Sequence, residues 1–188
     1  MVNYDEYVNV ANMAEAVRGF SRARNLALSA VFAAMTAAGG LISIPFFPVP
    51  LTLQTFFVYL SVLTLRRSAA LSQIIYLVMG LVGLPVFARG MSGYAVLVGP
   101  TGGFLFGFLV GTFCSGFLLD RMKGRRYAGV LSLLLCAVIV FGLGWVWLAY
   151  WLNWDFVMAL WLGVLPFLPG DAVKAVLALA VGKRIRLS

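Results

Sequence analysis

Apolar residues run along this chain in long blocks, broken by short clusters of proline, glycine and basic residues. The first block runs roughly from Leu26 to Ile44 and stops at PFFPVP, where three prolines in six residues cannot continue a helix. A second follows at once, about Leu51 to Leu65, and ends at Arg66-Arg67. A third spans about Ala69 to Leu84, before Pro85. A glycine-rich stretch over 85–103 leads into a fourth, about Pro100 to Leu119, which the basic loop DRMKGRR closes. The fifth covers about Tyr127 to Tyr150, and the sixth about Val157 to Val181, interrupted by Pro166 and Pro169. A transmembrane helix needs roughly 20 mostly apolar residues. The pattern therefore predicts an all-α, polytopic membrane protein of six transmembrane helices. Residues 1–24 read as a cytoplasmic tail or surface helix (about Val10 to Arg24), 25–183 as one membrane domain, and 184–188 as a second cytoplasmic tail.

Composition agrees with this pattern. Of the 188 residues, 63% are hydrophobic and 11% charged, with a mean hydropathy of +1.01. A soluble domain carries about 25% charged residues, so this surface is built for lipid. The net charge of +8 would suit nucleic acid in a soluble protein, but its placement points to membrane topology instead. With the N-terminus in the cytoplasm, all of the 14 Lys and Arg except Arg89 and Lys174 fall on inside segments. That is the positive-inside pattern, and it puts both termini on the cytoplasmic side of the cytoplasmic membrane. Trp151 and Trp154 then sit like an outer interfacial belt. The N-terminal segment has acids where a signal peptide carries basic residues. Histidine is absent, and Cys114 and Cys136 lie apart within apolar runs. No metal site, cofactor site or activated nucleophile is expected, and the chain does not read as an enzyme.

Two charges lie where the membrane should exclude them. Asp171 is 12 residues before Lys183 and Lys174 is 9 before it, which places them roughly 18 Å and 14 Å into the last helix. In a hydrocarbon core about 30 Å thick, both are near the midplane. An ionised group there costs at least about 2.5–3.5 kcal/mol. Several explanations are open. Asp171 and Lys174 share a helix face and could neutralise each other. Asp171 could cap the helix restarting after Pro169. The pair could relay protons or ions, or it could bind a ligand, the acid accepting N–H donors and the lysine taking a carbonyl or anion.

Other features bear on a ligand site. Gln54 is a polar group inside the second span and needs a partner. The irregular stretches PFFPVP and 85–99 both fall outside, so they could cover an outward-facing pocket and bring Gly90 and Met91 to it. GPTGG, Gly99 to Gly103, opens the fourth span. Its glycines could bare amides to an anion or let a neighbouring helix approach. Arg89 sits just upstream, as a carboxylate partner or a solvated loop charge. Tyr59 and Tyr76 show no reliable sign of a site. In the first span Ala30, Ala34 and Ala38 repeat at helical spacing, suited to packing within the bundle or to docking another membrane subunit.

Four segments occur in a recognisable order: PVPLTLQT (Pro48 to Thr55), GLPVFA (Gly83 to Ala88), GPTGGFLFGF (Gly99 to Phe108) and PFLPGDAVKA (Pro166 to Ala175). Together they resemble the BioY family, substrate-binding S components of energy-coupling-factor (ECF) vitamin transporters, over about residues 26 to 186. The resemblance implies a six-helix S-component fold and high-affinity biotin binding. It implies as partners a T component and two cytoplasmic ATPases. This chain has no GxxxxGK[ST] run of its own. The resemblance carries Asp171 and Lys174 over from the family's PGDxxK motif as ligands for the ureido ring. It suggests Phe104 and Tyr94 as walls for the bicyclic ring and chain, Arg89 or the helix start at Gly99 for the carboxylate, and Ala30, Ala34 and Ala38 as the T-component face. The chain departs from the family at Arg89–Gly93, where a Gly-Gly run is common, and at Leu105, where some members carry arginine. Arg89 is the expected replacement for that cation. An S component for another vitamin, and a small proton- or ion-coupled carrier built on Asp171 and Lys174, are the competing readings.

Overall fold

The computed structural model describes residues 4–187, with side chains described over 21–185. The chain is helical almost throughout. Helix α1 covers Tyr4–Leu41 without a break, so the surface helix and the first span are one rod, and residue 24 is no boundary in the backbone. Its inner face buries Phe32, Ala33, Thr36 and Ala37. Gly39 and Gly40 complete that face, and a Cβ on Gly39 would lie 3.1 Å from the Gln54 backbone nitrogen. These glycines therefore let the next helix start against α1.

Between them the proline-rich segment is a small hairpin rather than a plain loop. Strands β1 (Ser43–Ile44) and β2 (Leu51–Thr52) pair antiparallel, Ser43 opposite Thr52. Leu51 and Thr52 are thus strand, and helix α2 begins three residues later than predicted, spanning Gln54–Leu65. Arg66 has φ 56° and turns the chain. A short 3-10 turn over Arg66–Ser68 leads into α3, Ala69–Leu81. Residues 54–81 pass for one membrane span by length and composition. However, the Gln54 side chain donates to the Tyr76 hydroxyl, a contact that requires α3 to fold back along α2. The two helices form an antiparallel hairpin, as the Arg66-Arg67 break predicts.

The connection from Val82 to Thr101 is irregular. Gly83, Arg89, Gly90 and Gly93 all have positive φ, and the five-residue helix α4, Tyr94–Val98, was not predicted. Helices α5 (Gly102–Arg121) and α6 (Ala128–Trp151) then pack along their full length. Gly103, Gly107 and Gly111 form the seam, spaced one turn apart. A Cβ on Gly107 would lie 2.9 Å from the Val140 Cα, and one on Gly111 would lie 3.1 Å from the Cys136 sulfur. Small residues allow this close approach where lipid supplies no hydrophobic drive. Helix α7, Phe156–Gly163, is capped by Asp155, whose carboxylate accepts from the Met158 amide at 2.8 Å. The chain bends by 50° before α8, Leu168–Leu187. Pro166 lies in the break, and Pro169 falls in the first turn of α8, where its missing N–H costs nothing.

Among the described residues, length and composition alone mark three stretches that could cross a membrane, the folded-back 54–81 pair, α5 and α6, or four when α7 and α8 count as one bent span. These helices and their exposed apolar faces, with Val138, Val146, Val173 and Val176 outward, make this a multi-pass membrane protein.

Candidate functional site

A cavity of about 620 Å³, counting its open mouth, lies between β2, the N-terminal ends of α2, α5 and α8, the middle of α6 and the 86–91 connection. Its chemistry is divided. One end presents Thr52, Gln54, Thr55, Asp171 and Lys174, and most of the remaining wall is apolar, dominated by Phe87, Phe104, Phe108, Phe141 and Phe167. A few fixed polar groups in an aromatic shell is the usual design of a small-molecule site.

The polar end follows from how the helices begin. The bend after α7 directs the first turn of α8 at the cavity, so Asp171 arrives 5% exposed. The Tyr59 hydroxyl, from the middle of α2, donates to Asp171 Oδ2. Asp171 Oδ1 has no hydrogen-bond partner. One turn on, Lys174 Nζ donates to the Thr52 carbonyl at 2.7 Å and to Thr55 Oγ1 at 3.1 Å. Its distance to Asp171 Oδ1 is 4.0 Å, the outer limit of an ion pair. The two charges therefore do not simply satisfy each other. Lys174 is held by β2 and α2, and Asp171 keeps a buried acceptor open at the cavity wall. A buried acceptor without a donor costs about 1–3 kcal/mol, which a ligand N–H would recover. An ammonium has three donors, and two of Lys174's are used, so one remains for a ligand oxygen.

Gln54 shows a different use. Its Nε2 donates to Tyr76 and its Oε1 accepts from Thr52 Oγ1 at 3.0 Å. It lines the cavity while tying α2 to α3 and to the end of β2.

The other sequence-predicted positions divide clearly. Met91 and Phe104 line the cavity with Asp171, Lys174 and Gln54. Gly103 does not: it faces α6, and a Cβ there would lie 2.7 Å from the Leu143 carbonyl oxygen. Of the two roles open to the GPTGG glycines, Gly103 takes helix packing. Tyr94, which follows the positive-φ Gly93 at the start of α4, is 67% exposed and does not line the cavity. Arg89 is exposed, and neither it nor Gly90 lines the cavity, although their neighbours Ala88 and Met91 do. Leu105 is buried at the cavity wall, with no cation in its place. Thr101, before α5, also reaches the wall.

Sequence reasoning passed over Tyr59 and Tyr76. Both are fully buried and both hold a cavity-lining polar group. The available signal was general: a hydroxyl inside an apolar helix must find a partner. Phe141 and Phe167 were also missed, since nothing separates a wall phenylalanine from a lipid-facing one before the helices are placed. No group of three or more His, Cys, Asp or Glu that could hold a metal occurs among the described residues.

Three comparisons bear on this arrangement. The model of the BioY family matches residues 11–188. A "probable biotin transporter BioY" of Pyrococcus horikoshii is 40% identical, over 88% of this chain and 98% of that one. The "biotin transporter BioY" of Thermotoga maritima is 38% identical, over 87% of this chain and 96% of its own. Among solved structures, the S-component for biotin from an ECF-type ABC transporter superposes with a TM-score of 0.80 at 30% identity, over 89% of this chain and 93% of that chain.

Proposed function

Since this chain belongs to the BioY family, we propose that it captures biotin and serves in its uptake as the substrate-binding subunit of an ECF-type transporter. The observation that carries this reading is the open acceptor at Asp171 Oδ1 beside Lys174 Nζ, at the polar end of an aromatic cavity. Biotin's ureido ring offers N–H donors and a carbonyl on one edge, matching an acid and an ammonium side by side. Its bicyclic ring and valeryl chain suit Phe104, Phe141 and Phe167. The carboxylate then lies toward the mouth, where Thr101, Met91 and the Arg89–Gly90 turn are nearest along the chain. In this pose Arg89 meets the carboxylate by swinging in from the rim, with Gly90 as the turn that permits it and Tyr94 beside the opening. The role is transport, not catalysis.

We assign six crossings: the outer part of α1 from Leu26, then α2, α3, α5, α6, and the bent α7–α8 pair. Both termini are cytoplasmic. Arg66-Arg67, the 121–126 cluster and Lys183-Arg184 gather at the end remote from the cavity, which supports a cavity open to the outside of the cytoplasmic membrane. Ala30, Ala34 and Ala38 are all exposed on α1, while Ala33 and Ala37 are buried. The outward stripe supports docking of a T component, which would couple the chain to two cytoplasmic ATPases. Leucine at all three alanines is expected to abolish co-purification with a T component and leave biotin binding intact.

The deciding experiment is binding of labelled biotin to the purified protein, with unlabelled biotin and other vitamins as competitors. Saturable binding displaced by biotin alone is expected. Displacement by another vitamin in preference would assign a different substrate to the same pocket. Uptake that needs a proton gradient and no ATPase would favour the carrier built on Asp171 and Lys174.

A further inference from the structure

We propose that the basic pocket at the opposite end of the molecule from the ligand cavity binds the phosphate headgroup of an anionic phospholipid. It lies between the end of α2, the α5–α6 loop and the last turns of α8, and spans about 700 Å³ counting its open mouth. Arg66, Lys123, Arg125, Arg126 and Lys183 line it, with no acidic residue among the described lining residues. Asp120 stands nearby but is already shared. It takes Arg66 at 3.0 Å, Arg67 at 2.8 Å and Lys123 at 3.8 Å. One carboxylate thus serves three cations, and Arg125, Arg126 and Lys183 are exposed with no acidic partner among the described residues. Like charges gathered around one concavity raise the local concentration of an anion there.

The floor is of the opposite character. Leu63, Leu119, Val130 and Leu179 line it. Two glycines keep it open: a Cβ on Gly182 would lie 3.0 Å from the Leu63 side chain, and one on Gly129 would lie 3.2 Å from Leu179. A cationic rim over an apolar floor, where helices end at the membrane boundary, fits a phosphate continued by a glycerol backbone and the start of an acyl chain. Basic pockets between transmembrane helices hold such headgroups. Inorganic phosphate shares the rim chemistry but leaves the floor uncovered, so the lipid is the better occupant.

The test uses the full chain in detergent, exposed to equal amounts of phosphatidylglycerol and phosphatidylcholine with matched acyl chains. Retained lipid is read by native mass spectrometry. The wild type is expected to retain phosphatidylglycerol preferentially. The exposed rim variant Arg125→Gln/Arg126→Gln/Lys183→Gln is expected to lose about tenfold or more of that preference. The charge-matched control Arg22→Gln/Arg24→Gln/Arg121→Gln is expected to keep it, and circular dichroism checks that both remain folded. Equal loss in rim and control variants, or no loss in either, would overturn the proposal. Displacement of the lipid by inorganic phosphate at comparable concentration would also overturn it, assigning the rim to a soluble anion.

Discussion

The two sides of the ligand cavity are built differently. At the polar end, Asp171, Lys174 and Gln54 stand on helices, and each is held by a side chain or carbonyl from another element, Tyr59, Thr52 and Tyr76 in turn. Across the cavity, the 82–101 connection passes through four left-handed residues and leaves Arg89 and Tyr94 in the open. Recognition through hydrogen bonds needs groups placed to within a fraction of an ångström, which packed helices supply. A rim that must admit and release a ligand is served better by side chains exposed on a connection, as Arg89 and Tyr94 are. Selectivity should therefore reside at the helical end and access at the rim.

This division can be tested by substitution. Asp171→Asn keeps the shape but removes the charged acceptor. Hydrogen bonds to charged groups contribute about 1.5–3 kcal/mol, so biotin affinity measured by equilibrium binding should fall by roughly 10- to 100-fold. Lys174→Ala should weaken binding by about tenfold or more on the same grounds. Tyr59→Phe deletes only the support of Asp171 and should cost a few-fold in affinity, about 1 kcal/mol, seen mainly as faster dissociation. Arg89→Ala, at the exposed rim, should change affinity least, by no more than about threefold, the scale of an exposed ion pair. A larger loss from Arg89→Ala than from Tyr59→Phe would break the comparison, giving the rim contact to the carboxylate more weight than the support of Asp171 at the helical end. Both rates slowing when the rim is stiffened, for example by Gly90→Ala, would sharpen it.

Asp171 and Lys174 were legible in the sequence because charge inside an apolar run demands an explanation that needs no coordinates. The α5 seam was only partly legible: GPTGG left close helix packing open beside an anion site, and Gly107 and Gly111 gave no separate sign. What was not legible depended on partners distant along the chain. Tyr59 is 112 residues from Asp171, and no local pattern marks which tyrosine meets which acid. Gly103 could serve a ligand or a neighbouring helix, and only the position of α6 decides. The hairpin of β1 and β2 was hidden by prolines that read simply as breakers, and α4 was hidden by the glycines around it. Arg89 was assigned by its charge, its place just upstream of GPTGG and the arginine missing at Leu105, while its exposure depends on how the 82–101 connection folds.

The fold-back of α2 on α3 also bears on the surrounding membrane. With 12 and 13 residues, these helices measure about 18 and 20 Å, against a hydrocarbon thickness near 30 Å. Ile74, Val78 and Leu81 face outward on α3, so this flank meets acyl chains with a belt shorter than the bilayer. With α2 and α3 each crossing the bilayer, as proposed above, lipid beside the hairpin would thin to match it, while the longer α6 on another flank would impose no such demand. The protein would thus carry a lopsided dimple in its annulus, and thinner membranes should accommodate it at lower cost than thick ones.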